Sequence, residues 1–467
     1  MQTDNKYKQQ AGLSMSDFRA ELAEFLEHYP NIQYIDTLLP DTNGIVRGKR
    51  FPVSAARKLD KGCYFPGSVF SLDITGTTIE DTGLGLDIGD PDRHCRVVPG
   101  TLAPSAVDPE RIGQVLLTML DEEGERFLYE PRNLLANLID SYTVSGYKPV
   151  VALELEFYLI DPKRDEQGDI QPPIGYLSGE REIRSQLYTV DGLDDFSGFL
   201  SDVNELAQLQ GIPADTAIAE ASPGQFEINL RHCDDPVAAC DHAVLLKRLI
   251  RSVARRYNYE ATFMAKPYAE FTGNGLHIHT SLLDQFDRNV FSLGDGQDSD
   301  TLHQAIAGSL ALMPDTVALL CPNVNSYRRM APDMYVPLNA SWGHNNRTVS
   351  LRIPFSDGGN RRIEHRLAGA DANPYIALSV VLAGILYGIE NKLTPPDAVT
   401  GNGLNQTHPV LPCRPAEALA CLNNSKELPN YLSKEFLDTY VVLKQNELRQ
   451  FEQHITRLEM DWLLTTA

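Results

Sequence analysis

Two carboxylates interrupt the stretch most plainly built as a strand. Val150-Val-Ala-Leu-Glu-Leu-Glu-Phe-Tyr-Leu-Ile160 is β-branched, aliphatic and aromatic, with no Gly or Pro inside. Strand side chains alternate between faces, so Glu154 and Glu156 project the same way. Two like charges side by side on an apolar strand repel and lose hydration. Either a cation lies between them, and hard divalent metals prefer carboxylate oxygens, or that face meets water, as half-solvated antiparallel strands commonly do.

Bulk properties narrow the partners. The chain of 467 residues is long enough for two or three domains. Its net charge of −22 disfavours a nucleic-acid partner, which would need a basic surface. Seven scattered cysteines without a CxxC pair argue against a disulfide framework and for a reducing, cytoplasmic setting. The first residues lack the apolar core of a signal peptide. The longest apolar run, Ile376 to Ile389, is too short to cross a bilayer and reads as a buried helix, so no membrane partner is expected.

Along the chain, residues 1–13 are polar. A helix is predicted from Ser16 to His28, with Phe18, Leu22, Phe25 and Leu26 on one face. A hairpin follows around the Asn43-Gly44 turn, then short strands near Arg96–Pro99 and Gln114–Thr118. Residues 15–118 read as a small, mostly β domain, and 119–467 as the larger one. Residues 71–95, rich in Asp and Gly, read as a long loop, which in a compact domain is often functional. In the larger part, helices are predicted at Pro131–Ser145, Leu193–Gln210 and Pro236–Tyr257. Strands are predicted at Gln225–Leu230, Gly275–Ser281, Arg347–Pro354 and Arg361–Leu367, and a strand end at Phe263–Pro267. Residues 161–181 read as an insertion or mobile loop, and Ser433–Leu463 as one final helix with a stripe from Leu437 to Trp462.

Three constellations carry chemistry. Besides Glu154 and Glu156, the acidic set comprises Glu220, Glu227 and Glu364, with His277 and His279 sharing a strand face; carboxylates with one or two imidazoles suit Mg²⁺ or Mn²⁺. Taken singly, Glu220 is as well explained as a turn residue and His277 as a core imidazole. The basic set is seven arginines between Cys321 and Ala370 (Arg328, Arg329, Arg347, Arg352, Arg361, Arg362, Arg366) against only Asp333, Asp357 and Glu364. Arginine binds carboxylate and phosphate bidentately, and metals with arginine clamps are what phosphoryl transfer needs; a salt-bridged surface is the plainer alternative. The third is the glycine-rich turn Thr272-Gly-Asn-Gly-Leu-His277, which is not a P-loop.

In this order the motifs resemble the glutamine synthetase superfamily over nearly the whole chain. The resemblance rests on Glu154-Leu-Glu-Phe, Glu220…Gly224-Gln-Phe-Glu227, Gly275-Leu-His-Ile-His-Thr-Ser281, Asn323-Val-Asn-Ser-Tyr-Arg-Arg329, Asn346-Arg347…Arg352-Ile-Pro354, Arg362-Ile-Glu-His-Arg366 and Asn373-Pro-Tyr375. It implies an α+β chain: an N-terminal β-grasp domain, then a catalytic domain with a curved antiparallel sheet flanked by helices. It implies two stacked hexameric rings with active sites between subunits. One metal would be held by Glu156, Glu220 and Glu227, a second by Glu154, His277 and Glu364. His279, Ser281 and Arg362 would face ATP, and Arg347 and Arg352 the transferred phosphoryl group. Arg329, Arg366, Asn274 and Gly275 would hold glutamate. The implied reaction phosphorylates the γ-carboxylate of glutamate with ATP, and an amine then displaces phosphate.

Departures from the family pattern bear on the amine. Glutamine synthetases carry Phe-Asp-Gly-Ser where this chain has Phe65-Pro66-Gly67-Ser68, and a Glu where it has Tyr335. Those two carboxylates form the ammonium site. Thr272-Gly-Asn-Gly also replaces the usual Asn-Gly-Ser-Gly, and no Tyr stands near Leu404, where some bacterial members carry an adenylylated one. The pattern resembles the γ-glutamylpolyamine synthetase branch. Tyr335 would offer an aromatic face to an alkylammonium such as putrescine or a related polyamine. An alkylammonium with a pKa of about 10.4 must lose a proton before attack; Asp73, Glu80 and Asp81 are candidate bases or simply residues of a solvated loop. Ordinary glutamate–ammonia ligase activity and a non-catalytic, glutamate-sensing role are the alternatives.

Overall fold

The computed structural model describes residues 17–185, 187–294, 296–331, 334–405 and 409–467. Residues 1–13, Ser16 and Asp333 of the readings above lie outside them.

Helix Asp17–His28 buries Phe18, Leu22 and Phe25 against a seven-stranded N-terminal sheet. Strand Tyr34–Pro40 pairs antiparallel with Val46–Arg47 and Arg50–Pro52, as the Asn43-Gly44 turn predicted. The Asp41 carboxylate accepts the backbone N–H groups of Asn43 and Ile45, and Gly44 takes φ +72° to close the turn. The sheet is mixed, because Tyr34–Pro40 runs parallel to Ile112–Met119. The loop after Ser71 is shorter than predicted: Asp92–Val97 is already a strand, paired with Cys63–Pro66 and Ile112–Met119.

The second sheet has eight strands, centred on Lys148–Ile160. That strand alternates strictly: Val151, Leu153, Leu155 and Phe157 are fully buried, while Glu154 and Glu156 are half-buried on the other face. Leu276–Leu283 flanks it on one side and Gln225–Leu230 on the other. Beyond these lie Ile363–His365, Leu351–Ile353 and Trp342–His344 at one end and Ala214–Ala219 at the other; Glu260–Thr262 also pairs with the central strand. The expectation of a wholly antiparallel sheet needs correction. Trp342–His344 pairs parallel with Leu351–Ile353, because residues 345–350 carry the chain back to the start of the pair. The strand expected to end at Phe263–Pro267 is Glu260–Thr262 and stops just before Phe263.

Helices Pro131–Val144, Ser197–Leu209 and Pro236–Arg256 form near their predicted bounds, and Pro374–Glu390 is buried almost throughout. Helix Asp300–Leu320, unread in the sequence, packs on Pro374–Glu390. The approach is close: a Cβ on Gly308 would lie 2.3 Å from the Gly384 carbonyl oxygen and the Gly388 nitrogen. The final helix is two. Lys434–Gln453 ends at His454, whose φ/ψ of −78°/118° is extended, and Thr456 with Glu459 forms a capping box that starts Arg457–Leu463. The stripe divides there: Leu437 and Val441 are buried, whereas Ile455, Leu458 and Trp462 are exposed. Among the described residues no helix is long and apolar enough to cross a membrane.

Candidate active site

The polar face of the central strand meets matching residues on its neighbours, register by register. Glu227 stands opposite Glu156, and His277 opposite Glu154. His279 stands opposite Glu364, and Glu364 opposite Arg352. Because the side-chain period is two, these registers place six carboxylate or imidazole groups on one face. Two clusters of donor atoms result, each within 4.8 Å: Glu154 with His277 and Glu364, and Glu156 with Glu227 and His277.

The first cluster coincides with the triad named from the sequence. In the second, His277 takes the place expected of Glu220, which follows the strand Ala214–Ala219 and adjoins the cluster electrostatically. Burial, then the charge of Glu156, raises the Glu220 carboxyl to about 7, with Arg347 opposing. Glu227 rises to about 9, through burial and then through Glu154, Glu156 and Glu220. Glu154 goes the other way. Burial disfavours its charge, but hydrogen bonds with His277 (3.0 Å) and His279 (2.8 Å) outweigh that and hold it well below the usual range. Glu364 is likewise held down, to about 2: burial opposes its charge, but Arg366, the two histidines and Arg352 outweigh it. Arg352 donates to Glu364 at 2.7 Å and to Asn345 at 2.8 Å, and buried Arg366 also donates to Glu364.

The second histidine has a defined tautomer. The Arg362 Nε–H donates to His279 Nδ1 at 3.2 Å, so the ring proton sits on Nε2 and is given to Glu154. Ser281 continues the same strand face, opposite Val150.

Arg329 is buried and ends the turn Val324–Arg329. Two glycines let it cross the glycine-rich turn: a Cβ on Gly273 would lie 2.4 Å from Arg329 Cγ, and one on Gly275 would lie 3.2 Å from its Nη2. The Gly275 N–H donates to Glu156 at 2.6 Å. The Asn274 side chain is engaged within the protein. It is fully buried, its amide donating to the Met264 carbonyl at 2.9 Å and accepting from Gln225. Thr272 is similarly engaged, with Gln225 at 2.6 Å and Ser222 at 2.8 Å, while Tyr158 donates to its carbonyl. Gln225 and Asn345 were missed as supports. Alternation placed Gln225 on the face of Glu227, but nothing in the sequence announced that Asn345, at φ +44°, would brace Arg352.

Arg347 is exposed. Tyr335, also exposed and at φ +51°, lines a cavity of about 370 Å³ with Thr348, Gly401, Asn402 and Leu404. Pro66 lies in the other sheet, opposite Asp92. Two candidate bases are already engaged. Asp73 Oδ1 accepts from Thr75 and Thr77, and Glu80 from the Leu86 N–H.

A sheet face lined by carboxylates, imidazoles and arginines defines a class of metal- and phosphate-handling enzymes. The chain belongs to the glutamine synthetase family, whose catalytic domain matches residues 128–463. It is 52% identical to gamma-glutamylputrescine synthetase PuuA of Escherichia coli (strain K12), over 100% of this chain and 99% of that protein. It is 32% identical to the glutamate–isopropylamine ligase of a Pseudomonas species, covering 94% and 96%. The solved structure of a GmaS/ADP complex superposes with a TM-score of 0.82 at 26% identity, covering 95% of this chain and 99% of that one.

Proposed function

We propose that this chain joins the γ-carboxylate of glutamate to a primary amine, putrescine or a related polyamine, with ATP converted to ADP and phosphate. It is a glutamate–amine ligase working through γ-glutamyl phosphate. The observation that carries the reading is the pairing of a complete carboxylate–imidazole ladder with Pro66 and Tyr335 where an ammonium site would need carboxylates.

The ladder suits divalent metal. Glu154, Glu156, Glu220 and Glu227 repel one another, and only part of that repulsion is offset by the arginines and histidines. Such a donor set fits Mg²⁺ or Mn²⁺. Glu154, His277 and Glu364 would hold one ion, and Glu156 and Glu227, with Glu220 or the shared His277, another. Bound there, the ions would neutralise charge on the phosphates.

The protein's own groups do the rest. Arg362, His279 and Ser281 face the nucleotide. Arg347 and Arg352 stabilise charge on the transferred group, Arg352 being pre-aligned by Glu364 and Asn345. Arg329 and Arg366, with Asn274 and Gly275 of the glycine-rich turn, hold glutamate. Tyr335 offers an aromatic face to the amine's alkylammonium. Pro66 stands on the N-terminal unit, about 15–118, so a neighbouring subunit in a ring assembly would bring it to the catalytic unit, about 119–467. A cytoplasmic setting accords with seven free cysteines.

ADP release with glutamate and a panel of amines tests the proposal. Turnover with putrescine and little with ammonium is expected. Turnover with ammonium alone would make the chain an ordinary glutamine synthetase, and no turnover with any amine a non-catalytic relative.

A further inference from the structure

A cavity of about 430 Å³ lies where the Asp41–Ile45 turn, helix Lys434–Gln453 and the end of helix Asp300–Leu320 meet, and none of the ladder residues lines it. We propose that this cavity binds a small carboxylate with an apolar body, anchored by Arg251, and that its occupancy is coupled to Arg329.

Charge identifies the anchor. Three cations line the cavity in a chain of net charge −22. Lys444 is matched by Glu447 at 2.8 Å and Asn43. Lys247 is held by the carbonyls of Ala370 (2.6 Å) and Ala372 (3.0 Å). Arg251 has no carboxylate partner among the described residues. Its guanidinium lies 5.0 Å from the Phe263 ring centroid, and its charged neighbours are the cations Arg255 and Lys247. A guanidinium beside a concavity without a counter-charge is complementary to carboxylate. Val324, Leu448 and Phe451 supply apolar wall for the rest of the molecule.

Hydrogen bonds join the wall to the substrate arginine. Asp371 accepts from Asn323 at 2.8 Å and from Ser326 at 2.6 Å, and both cap the turn that ends in Arg329. Asn325, also on the wall, is tied to the Lys266 backbone through both its amide groups. A ligand against Asn323, Asn325 and Asp371 therefore bears on the segment presenting Arg329. Linkage makes the effect mutual: glutamate and the carboxylate alter each other's affinity by one factor. Only this second part rests on the glutamate role given to Arg329.

Calorimetric titration of the full chain with hexanoate, with and without saturating glutamate, tests both parts; hexanamide is the uncharged control. Saturable hexanoate binding is expected, with no binding of hexanamide. Arg251→Gln should weaken it roughly tenfold or more, the scale of a lost charge-assisted pair, while Arg255→Gln leaves it unchanged. Glutamate should shift the hexanoate Kd severalfold without abolishing binding. The site is overturned by absent binding, by equal weakening in both arginine variants, or by full competition with glutamate. An unshifted Kd removes the coupling alone. Because binding is read directly, ligase activity can fail or hold independently.

Discussion

Glu156 and Glu227 face each other directly across an antiparallel strand pair, two carboxylates where a sheet ordinarily avoids like charges. Burial, and then the charges of Glu154, Glu156 and Glu220, keep a proton on Glu227 up to about pH 9. Replacing Glu227 with Gln removes the cost of holding, at pH 7.5, a proton that the unfolded state has lost. The metal-free variant is expected to melt above the wild type at pH 7.5. Mg²⁺ or Mn²⁺ should raise the melting temperature of the wild type by mass action and the variant's far less. Thermal melts with and without metal check both; an equal metal response would remove Glu227 from the site.

Arg347 is exposed and approaches Glu220. Arg347→Ala should reduce kcat by roughly 10²–10³-fold, the scale of a lost transition-state donor, with an unchanged far-UV spectrum and melting temperature. Rapid-quench measurement of ADP formation on glutamate isolates the step. Normal phosphoryl transfer would refute the assignment.

In the function proposed above, Tyr335 stands where an ammonium site would carry a carboxylate. Tyr335→Glu should lower kcat/KM for putrescine and raise it for ammonium, by roughly tenfold for a cation–π contact worth about 1–2 kcal/mol. The ratio of the two kcat/KM values is the readout, and an unmoved ratio would take Tyr335 out of the amine pocket.

Glu130 predicts a pH effect away from the site. Its side chain is fully buried, accepts from Met119, Thr118 and Asn133, and has one oxygen without a partner. Burial raises its carboxyl from 4.5 to about 7. The native state then keeps a proton that the unfolded state has lost. Its stabilising contribution is complete below pH 4.5 and is lost as pH rises through 7. The loss is at most about 3 kcal/mol. Glu130→Gln should flatten that slope in urea melts between these pH values.

Gly308 tests the packing of helix Asp300–Leu320 on Pro374–Glu390. The obstructing atoms are backbone, so they cannot swing aside. Gly308→Ala should cost about 3 kcal/mol, the upper end for overpacking, in urea unfolding. A loss under 1 kcal/mol would mean the helices separate readily.

Long periodic elements were legible in the sequence. Gln225–Leu230 formed as read, and Pro236–Arg256 and Pro374–Glu390 nearly so, because their apolar periods agree with their burial. Helix Asp300–Leu320 was missed: its partner's glycines are far away in sequence. The division of the last helix turned on a local capping box, Thr456 with Glu459, within an otherwise continuous apolar stripe. Six metal-binding candidates were named from motifs, and five of them converge in the two donor clusters.

The alternation of Val150–Ile160 by itself determined that Glu154 and Glu156 share a face, since a strand's side-chain period is local. Which groups meet them was decided by strand register. Register brought His277 to Glu154 and Glu227 to Glu156 from positions far apart in the chain, and Arg352 to Glu364 from the preceding strand. It also turned Asn274 inward and set His277 between both clusters. A shift of one residue would send each of these groups to the opposite face, and only the packed apolar side of the sheet prevents it.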